Sequence, residues 1–211
     1  MKDLIIIGAG KFGRELLSYA IDIVEAGGCE WRIKGFINDD LHSLDQYNIE
    51  YPILGPIAGH TIQENAVYIC AIGDSEARLS LGKEFQKKGA EFINFIHPTV
   101  RIRERVKMGV GNIFCPCAGM STDVTIGDFV LFNSYAIVAH DCIIGSGCTL
   151  SGGCEITGNC TLGEGVFLGT KSVIVPDRKI GDYAKISAGA IVFTNVKPGK
   201  IMIGNPAMVL K

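Results

Sequence analysis

Large apolar residues recur at every sixth position through the second half of the chain. Ile96, Ile102, Met108, Phe114, Met120, Ile126, Phe132, Val138 and Ile144 open the series, and Leu150, Ile156, Leu162, Leu168, Ile174, Ile180, Ile186 and Val192 complete it. All seventeen positions are apolar in a chain that is 47% hydrophobic. In any one register chance would produce that in about one case in 10⁵ to 10⁶, so the run is a structural repeat. The residue two places earlier is mostly small: Val124, Val130, Ala136, Cys142, Cys148, Cys154, Cys160, Val166, Ser172, Ala184 and Ala190. Two positions two apart in a unit of six predict short strands with both residues facing inward. Gly127, Gly145, Gly163, Gly169 and Gly181 follow the large residue, where the chain turns a corner and a Cβ is costly. Three strands and three corners make one triangular coil of about 18 residues, the unit of a parallel β-helix. Asn112 and Arg178 break the small-residue rule. The first is expected at a ragged start of the coil, the second at a turn after Pro176.

Residues 1–95 follow a different pattern, alternating strands and helices of an α/β fold. Leu4 to Ile7 reads as a short buried strand. Gly8-Ala-Gly10-Lys-Phe12-Gly13 follows, and Arg14 to Glu25 carries helical spacing through Leu16, Leu17, Ala20, Ile21 and Val24. Ile33 to Ile37 and Val67 to Ile72 predict two more strands, ending at Asn38-Asp39-Asp40 and at Gly73. Asp74-Ser75 caps a helix running to about Lys88, with Gly89 as its stop. Phe92 to Phe95 predicts a last strand. The division expected is therefore 1–95, a Rossmann-like half domain, and 96–211, a β-helix.

Composition narrows the function. A net charge of -2 leaves no basic footprint for nucleic acid, and no basic cluster adjoins an amphipathic stretch that would bind a membrane surface. The strongly apolar run at Leu4 to Ile7 is far too short to span a bilayer and breaks at Gly-Ala-Gly-Lys, so a cytoplasmic protein is expected. The eight cysteines do not read as a disulfide framework. Cys142, Cys148, Cys154 and Cys160 occupy successive inward positions, where free cysteine packs as a small hydrophobe. A zinc site needs sulfurs converging tetrahedrally, whereas this spacing distributes them around three faces, so no metal is expected.

His140 stands out within the repeats. It lies two residues past Val138, outside the inward alternation, and has no packing duty. An imidazole with an ordinary pKa of ~6.5 suits proton removal from a hydroxyl or amine, and the carboxylate of Asp141 is placed to orient the ring. The alternative is a solvated surface histidine. The Gly-x-Gly-x-x-Gly after a strand and before a helix makes a backbone N–H cradle for phosphate. By itself it also suits a dinucleotide, but ~95 residues amount to half of a two-part dinucleotide fold. Asn38, Asp39 and Asp40 end the second strand, as a contact to a base or ribose or as a solvated turn. His42, His60 and His97 read as structural.

The Gly-rich start, the hexapeptide run, Asn133-Ser-Tyr-Ala-Ile-Val-Ala-His140-Asp141 and the late Ile203-Gly-Asn-Pro-Ala207 together resemble one family over nearly the whole chain. It is the sialic acid O-acetyltransferase and nucleotide-amino-sugar N-acetyltransferase family of bacterial glycan pathways. The resemblance implies a left-handed β-helix, a homotrimer, and acetyl-CoA as cosubstrate. It makes His140 the general base, with Asp141 beside it. It places Gly8, Gly10, Phe12, Gly13, Asn38, Asp39, Asp40, Gly73 and Asn133 around a nucleotide-linked sugar. Gly158 becomes the backbone donor to the tetrahedral oxyanion, and the backbone of Thr170 and Ala188 lines the pantetheine arm. Some amino-sugar branches carry a histidine where this chain has Phe12, so oxygen and nitrogen acceptors both stay open.

Other functions fit less well. A β-helical carbonic anhydrase needs three histidines around a metal, and His140 alone lies in the repeats proper. An NAD-dependent oxidoreductase lacks its second nucleotide-binding half. A non-catalytic, trimeric nucleotide-sugar-binding protein would leave the His140–Asp141 pair without a task.

Overall fold

The computed structural model describes residues 1–210. In the N-terminal lobe, β1 (Lys2–Ile7) lies between β2 (Trp31–Ile37) and β3 (Ala66–Cys70) in a parallel sheet of order 2-1-3. β3 and the Leu4–Ile7 stretch of β1 are apolar because both faces are covered, as in α/β sheets generally. α1 (Lys11–Ala26) turns Leu16, Leu17 and Ala20 inward. α2 (Ser75–Lys87) starts where Asp74 Oδ1 accepts the Ala77 N–H at 2.9 Å and stops before Gly89, whose φ is 91°. The strand expected at 92–95 is divided. Phe92 bridges to Tyr68 at the edge of the lobe's sheet, while Phe95 pairs with Ile113 and opens the coil. Apolar alternation is the same in both pieces; only the partner separates them.

From Phe95 the chain winds as a three-sided parallel β-helix built of two-residue strands. The first face carries Phe95–Ile96, Ile113–Phe114, Leu131–Phe132, Thr149–Leu150, Phe167–Leu168 and Lys185–Ile186, and ends with Ile201–Ile203 and Met208–Val209. The second runs from Arg101–Ile102 through Ile137–Val138 to Ile191–Val192, and the third from Lys107–Met108 through Ile143–Ile144 to Lys179–Ile180. Among the strands up to Val192 each pairing is parallel and with the strand 18 residues on, as Ile137 pairs with Glu155 and Val138 with Ile156; Lys185 then pairs with Ile201, 16 residues on, and the last two strands are antiparallel. The inward columns form one continuous core, with Ala136, Val138, Cys142, Ile144, Cys148 and Leu150 all buried. Between them Ile137 is 41% exposed, as the alternation requires.

Corner chemistry is more specific than a general need for glycine. A Cβ on Gly145 would come within 2.5 Å of the Gly163 carbonyl group, and one on Gly169 within 2.5 Å of the Ala188 nitrogen. These glycines answer close approach between coils. The left-handed backbone falls elsewhere, at every sixth residue from Arg105 to Gly189, and most of those positions are not glycine. Asn112 is no ragged start: it is fully buried, its Oδ1 accepts the Val130 N–H at 2.8 Å, and regular coil precedes it. Arg178 escapes the core by folding back, Nε donating to the Pro176 carbonyl at 2.9 Å.

The lobe covers the outside of the first face. Ile113, Cys115 and Leu131 pack with Leu16 and Leu17 of α1, and Phe129 packs with Leu79, Phe85 and Phe92. The Phe129 ring fills the space that a side chain on Gly82 of α2 or on Gly111 would need. The corner between the second and third faces is thus left on the far side of the coil from the lobe.

Candidate active site

His140 occupies that far corner. Thr122, His140, Gly158 and Pro176 stand at equivalent positions of successive coils, 18 residues apart, which spaces them by about 4.8 Å along the axis. Residues 105, 123, 141, 159 and 177 form the neighbouring column, all with φ between 58° and 65°. Asp and Asn adopt this conformation at little cost, and the chain has Asp123, Asp141, Asn159 and Asp177 there. The left-handed turn at Asp141 (φ 58°) swings its carboxylate back onto the preceding ring. Asp141 Oδ2 lies 2.7 Å from His140 Nδ1, with the side chains 60% and 62% exposed.

A carboxylate is an acceptor only, so Nδ1 carries a proton, and in the neutral ring Nε2 presents the lone pair. The ring is laid over Gly158. A Cβ there would stand 2.6 Å from His140 Cε1, 2.7 Å from Nε2 and 3.2 Å from Nδ1. Gly158 is buried, its carbonyl accepts the Asp177 N–H at 3.1 Å, and its own N–H donates to no group among the described residues. The His140 ring therefore lies over a residue whose backbone donor is unused. His140 and Gly158 are 18 residues apart, one coil of the repeat, and that period stacks them.

The N-terminal residues gather at the carboxyl end of β1, β2 and β3. Strand order 2-1-3 reverses direction between β1 and β3, where open parallel sheets bind ligands. Gly8 has φ 99° and faces Ile72, 3.1 Å from where its Cβ would be. Gly13 leaves no room for a Cβ against the Gly8 carbonyl oxygen, which brings α1 down onto the strand end. Gly10 begins α1 with no side-chain cap, leaving first-turn N–H groups available to an anion. Phe12 is half-buried beside them, and Gly73 is exposed on the opposite rim. Asn38 Oδ1 accepts the Ala9 N–H at 3.0 Å and steadies the glycine loop. Asp39 Oδ1 is occupied by the Ile57 and Ala58 N–H groups at 2.9 and 3.0 Å, and Asp40 Oδ1 by the His42 N–H at 3.0 Å. Both aspartates thus hold backbone in place.

Asn133, Thr170 and Ala188 lie at a third place, the corner between the first and second faces. Asn133 sits beside Cys115, whose Sγ is 3.9 Å from its Oδ1. Within one chain, the glycine loop, this corner and His140 are thus separate.

The other histidines have local partners. His97, 7% exposed, links Asp22 (3.2 Å) and Thr99 (2.8 Å). His60 stacks on Phe85 and meets Tyr68 Oη at 3.1 Å, and burial holds its pKa down. His42 pairs with Asp45. Cys142, Cys148, Cys154 and Cys160 are fully buried in the coil, and burial pushes Cys148 and Cys154 up to about 12. The contact between Cys142 and Cys160 pushes the first up and draws the second down, but with no exposed surface all four pack the core of the coil. Among the described residues no group of three His, Cys, Asp or Glu is placed to hold a metal ion, and no helix is long and apolar enough to cross a membrane.

Comparison with known proteins adds to this geometry. Residues 3–85 match the family described as PglD N-terminal domain, and residues 123–158 and 159–194 match bacterial transferase hexapeptide repeats. GDP-perosamine N-acetyltransferase of Escherichia coli O157:H7 is 30% identical over 98% of this chain and 95% of its own length. PerB from Caulobacter crescentus, solved with CoA and GDP-perosamine, superposes with a TM-score of 0.89 at 25% identity, covering 100% of this chain and 98% of that one. WeeI from Acinetobacter baumannii AYE does so with a TM-score of 0.86 at 27% identity over the whole of both chains.

Proposed function

The chain belongs to the nucleotide-amino-sugar N-acetyltransferase family of hexapeptide-repeat acyltransferases, and we propose that it moves the acetyl group of acetyl-CoA onto the amine of a nucleotide-linked amino sugar. The observation that carries the reading is the His140 ring seated on Gly158, with Nδ1 tied to Asp141. Nε2 takes the proton as the sugar nitrogen attacks the thioester carbonyl, help worth typically ~10²- to 10⁴-fold. The carbonyl oxygen becomes an oxyanion facing the unused Gly158 N–H. The carbon–sulfur bond then breaks, and the imidazolium returns its proton to the departing thiolate. The buried coil thiols support direct transfer without an acyl-enzyme.

The crevice of residues 8–13, Asn38 and Gly73 is assigned to the nucleotide, with Asn38, Asp39 and Asp40 acting mainly by shaping the loops around it. Residues 1–95 thereby hold the acceptor and 96–211 perform the chemistry. Because the lobe and His140 lie on opposite sides of one coil, a crevice meets a catalytic corner when a second chain supplies one of them. That agrees with a homotrimer, in which Asn133 and the backbone at Thr170 and Ala188 face a neighbour's corner and line the acetyl-CoA groove. We place the reaction in the cytoplasm, in surface-glycan biosynthesis.

The test is thiol release from acetyl-CoA across a panel of nucleotide-linked 4-amino and 3-amino sugars, with free sugars as controls. One amino sugar should drive release, and His140→Ala should lower kcat ~10²-fold or more while the nucleotide sugar still binds. Unchanged turnover in His140→Ala would end the assignment of the base. No release with any acceptor would end the proposed reaction.

A further inference from the structure

Arg78, in the first turn of α2, is fully buried between the lobe and the coil. No carboxylate hydrogen-bonds its guanidinium; oxygen atoms of the protein surround it. Nε donates to the Phe129 carbonyl at 3.0 Å, and Nη2 to the Gly147 and Cys148 carbonyls, both at 3.0 Å, and to Thr149 Oγ1 at 2.8 Å. Those four acceptors belong to the coil. Nη1 donates instead to the Ile72 carbonyl at 3.0 Å and the Gly73 carbonyl at 3.2 Å, which belong to the rim of the nucleotide crevice. Ser75 Oγ completes the cluster, 2.7 Å from Thr149 Oγ1.

A buried cation is costly to hold unless every donor is satisfied, and here all are. An apolar side chain of that size would leave the Phe129, Gly147 and Ile72 carbonyls without these donors, so the arginine does what apolar packing cannot: one planar fork joins carbonyls of the coil to carbonyls of the rim. Burial draws its pKa down to about 10, which leaves it charged at neutral pH. Its guanidinium lies directly beneath the Ile72–Gly73 peptides. Ile72 faces Gly8 across the crevice, and Gly73 also lines a cavity of about 390 Å³ running to Phe167, Tyr183 and Lys185 on the coil.

We infer that Arg78 is a positioning residue for nucleotide binding: it locks the β3 rim of the crevice to the rigid coil and so fixes where the Ile72–Gly73 backbone stands against the ligand. The inference rests on the nucleotide reading of the crevice. In the sequence Arg78 has the look of a solvated charge on an amphipathic helix.

The test measures binding of UDP, GDP, CDP and dTDP by calorimetry to the wild type, Arg78→Lys, Arg78→Met and Thr149→Val, together with KM for acetyl-CoA and melting temperature. For the nucleotide that binds the wild type, Kd should rise about tenfold in Arg78→Lys and more in Arg78→Met, with KM for acetyl-CoA unchanged. Thr149→Val keeps the shape and removes the hydroxyl joining Arg78 to Ser75. It should weaken binding about threefold, so the inference stays testable if Arg78→Met does not fold. A lowered melting temperature with wild-type Kd in Arg78→Lys and Thr149→Val makes Arg78 a structural clamp only, and overturns the inference while the acetyltransferase reading stands. If none of the four nucleotides binds the wild type, the nucleotide reading falls and the inference falls with it.

Discussion

Replacing Gly158 by alanine adds one methyl group directly beneath the proposed base. Its Cβ would stand 2.6 Å from His140 Cε1, where ordinary contact begins near 3.4 Å, so the ring must retreat by about 0.8 Å. The ring is free to do so, since the His140 side chain is 62% exposed. Gly158 does not have a positive φ, so alanine brings no backbone strain. The fold should survive, with a melting temperature within about 2 °C of wild type. Catalysis should not, because a displacement near 1 Å of a reacting group costs about 10²-fold. The expected result is a fall in kcat of about that size, with KM for acetyl-CoA and for the sugar within about threefold. Initial rates of thiol release would be read against a protein blank, since some cysteines are reachable. A folded Gly158→Ala variant with kcat within threefold of wild type would refute the placement of the base over Gly158.

Other outcomes follow from the same geometry. Asp141→Asn keeps a residue that tolerates φ of 58° but loses the carboxylate that fixes the Nδ1 proton; kcat should fall about tenfold or more, and wild-type kinetics would remove Asp141 from the mechanism. Ser172 Oγ is fully buried with no hydrogen-bond partner, and the next residue in its column is Ala190. Ser172→Ala should therefore raise stability by about 1 kcal/mol in a denaturant melt, and a clear loss would show that the hydroxyl has a use. Of the eight cysteines, Cys29 and Cys117 are half-buried and six are buried. A native thiol titration should find at most two fast groups, and more would mean that the coil opens readily.

Much of the fold can be read from the chain because it is periodic. The six-residue alternation names which side chains face inward without knowledge of any partner, since each strand pairs with the strand one coil away. The same period stacks His140 on Gly158. Non-periodic contacts are a different matter. Nothing local distinguishes Phe92, which pairs with Tyr68, from Phe95, which pairs with Ile113. Asn112 looks like a fault in the repeat and is a buried hydrogen-bonding residue of regular coil. Asp39 and Asp40, legible as ligand contacts, hold the backbone of Ile57, Ala58 and His42.

The chain's spacing was enough for the two folding patterns, the inward and outward faces of the coil, the inward place of Cys142, Cys148, Cys154 and Cys160, and the outward place of His140. These depend on spacing along the chain, which a one-dimensional pattern contains. The tertiary structure alone decided that the lobe covers the first face of the coil and leaves His140 on the opposite corner. It also decided that Asp141 turns back onto the ring and that Arg78 joins the crevice rim to the coil. These depend on contacts such as Arg78 with Gly147 and Cys148, made between residues far apart in the chain by packing that no local propensity encodes.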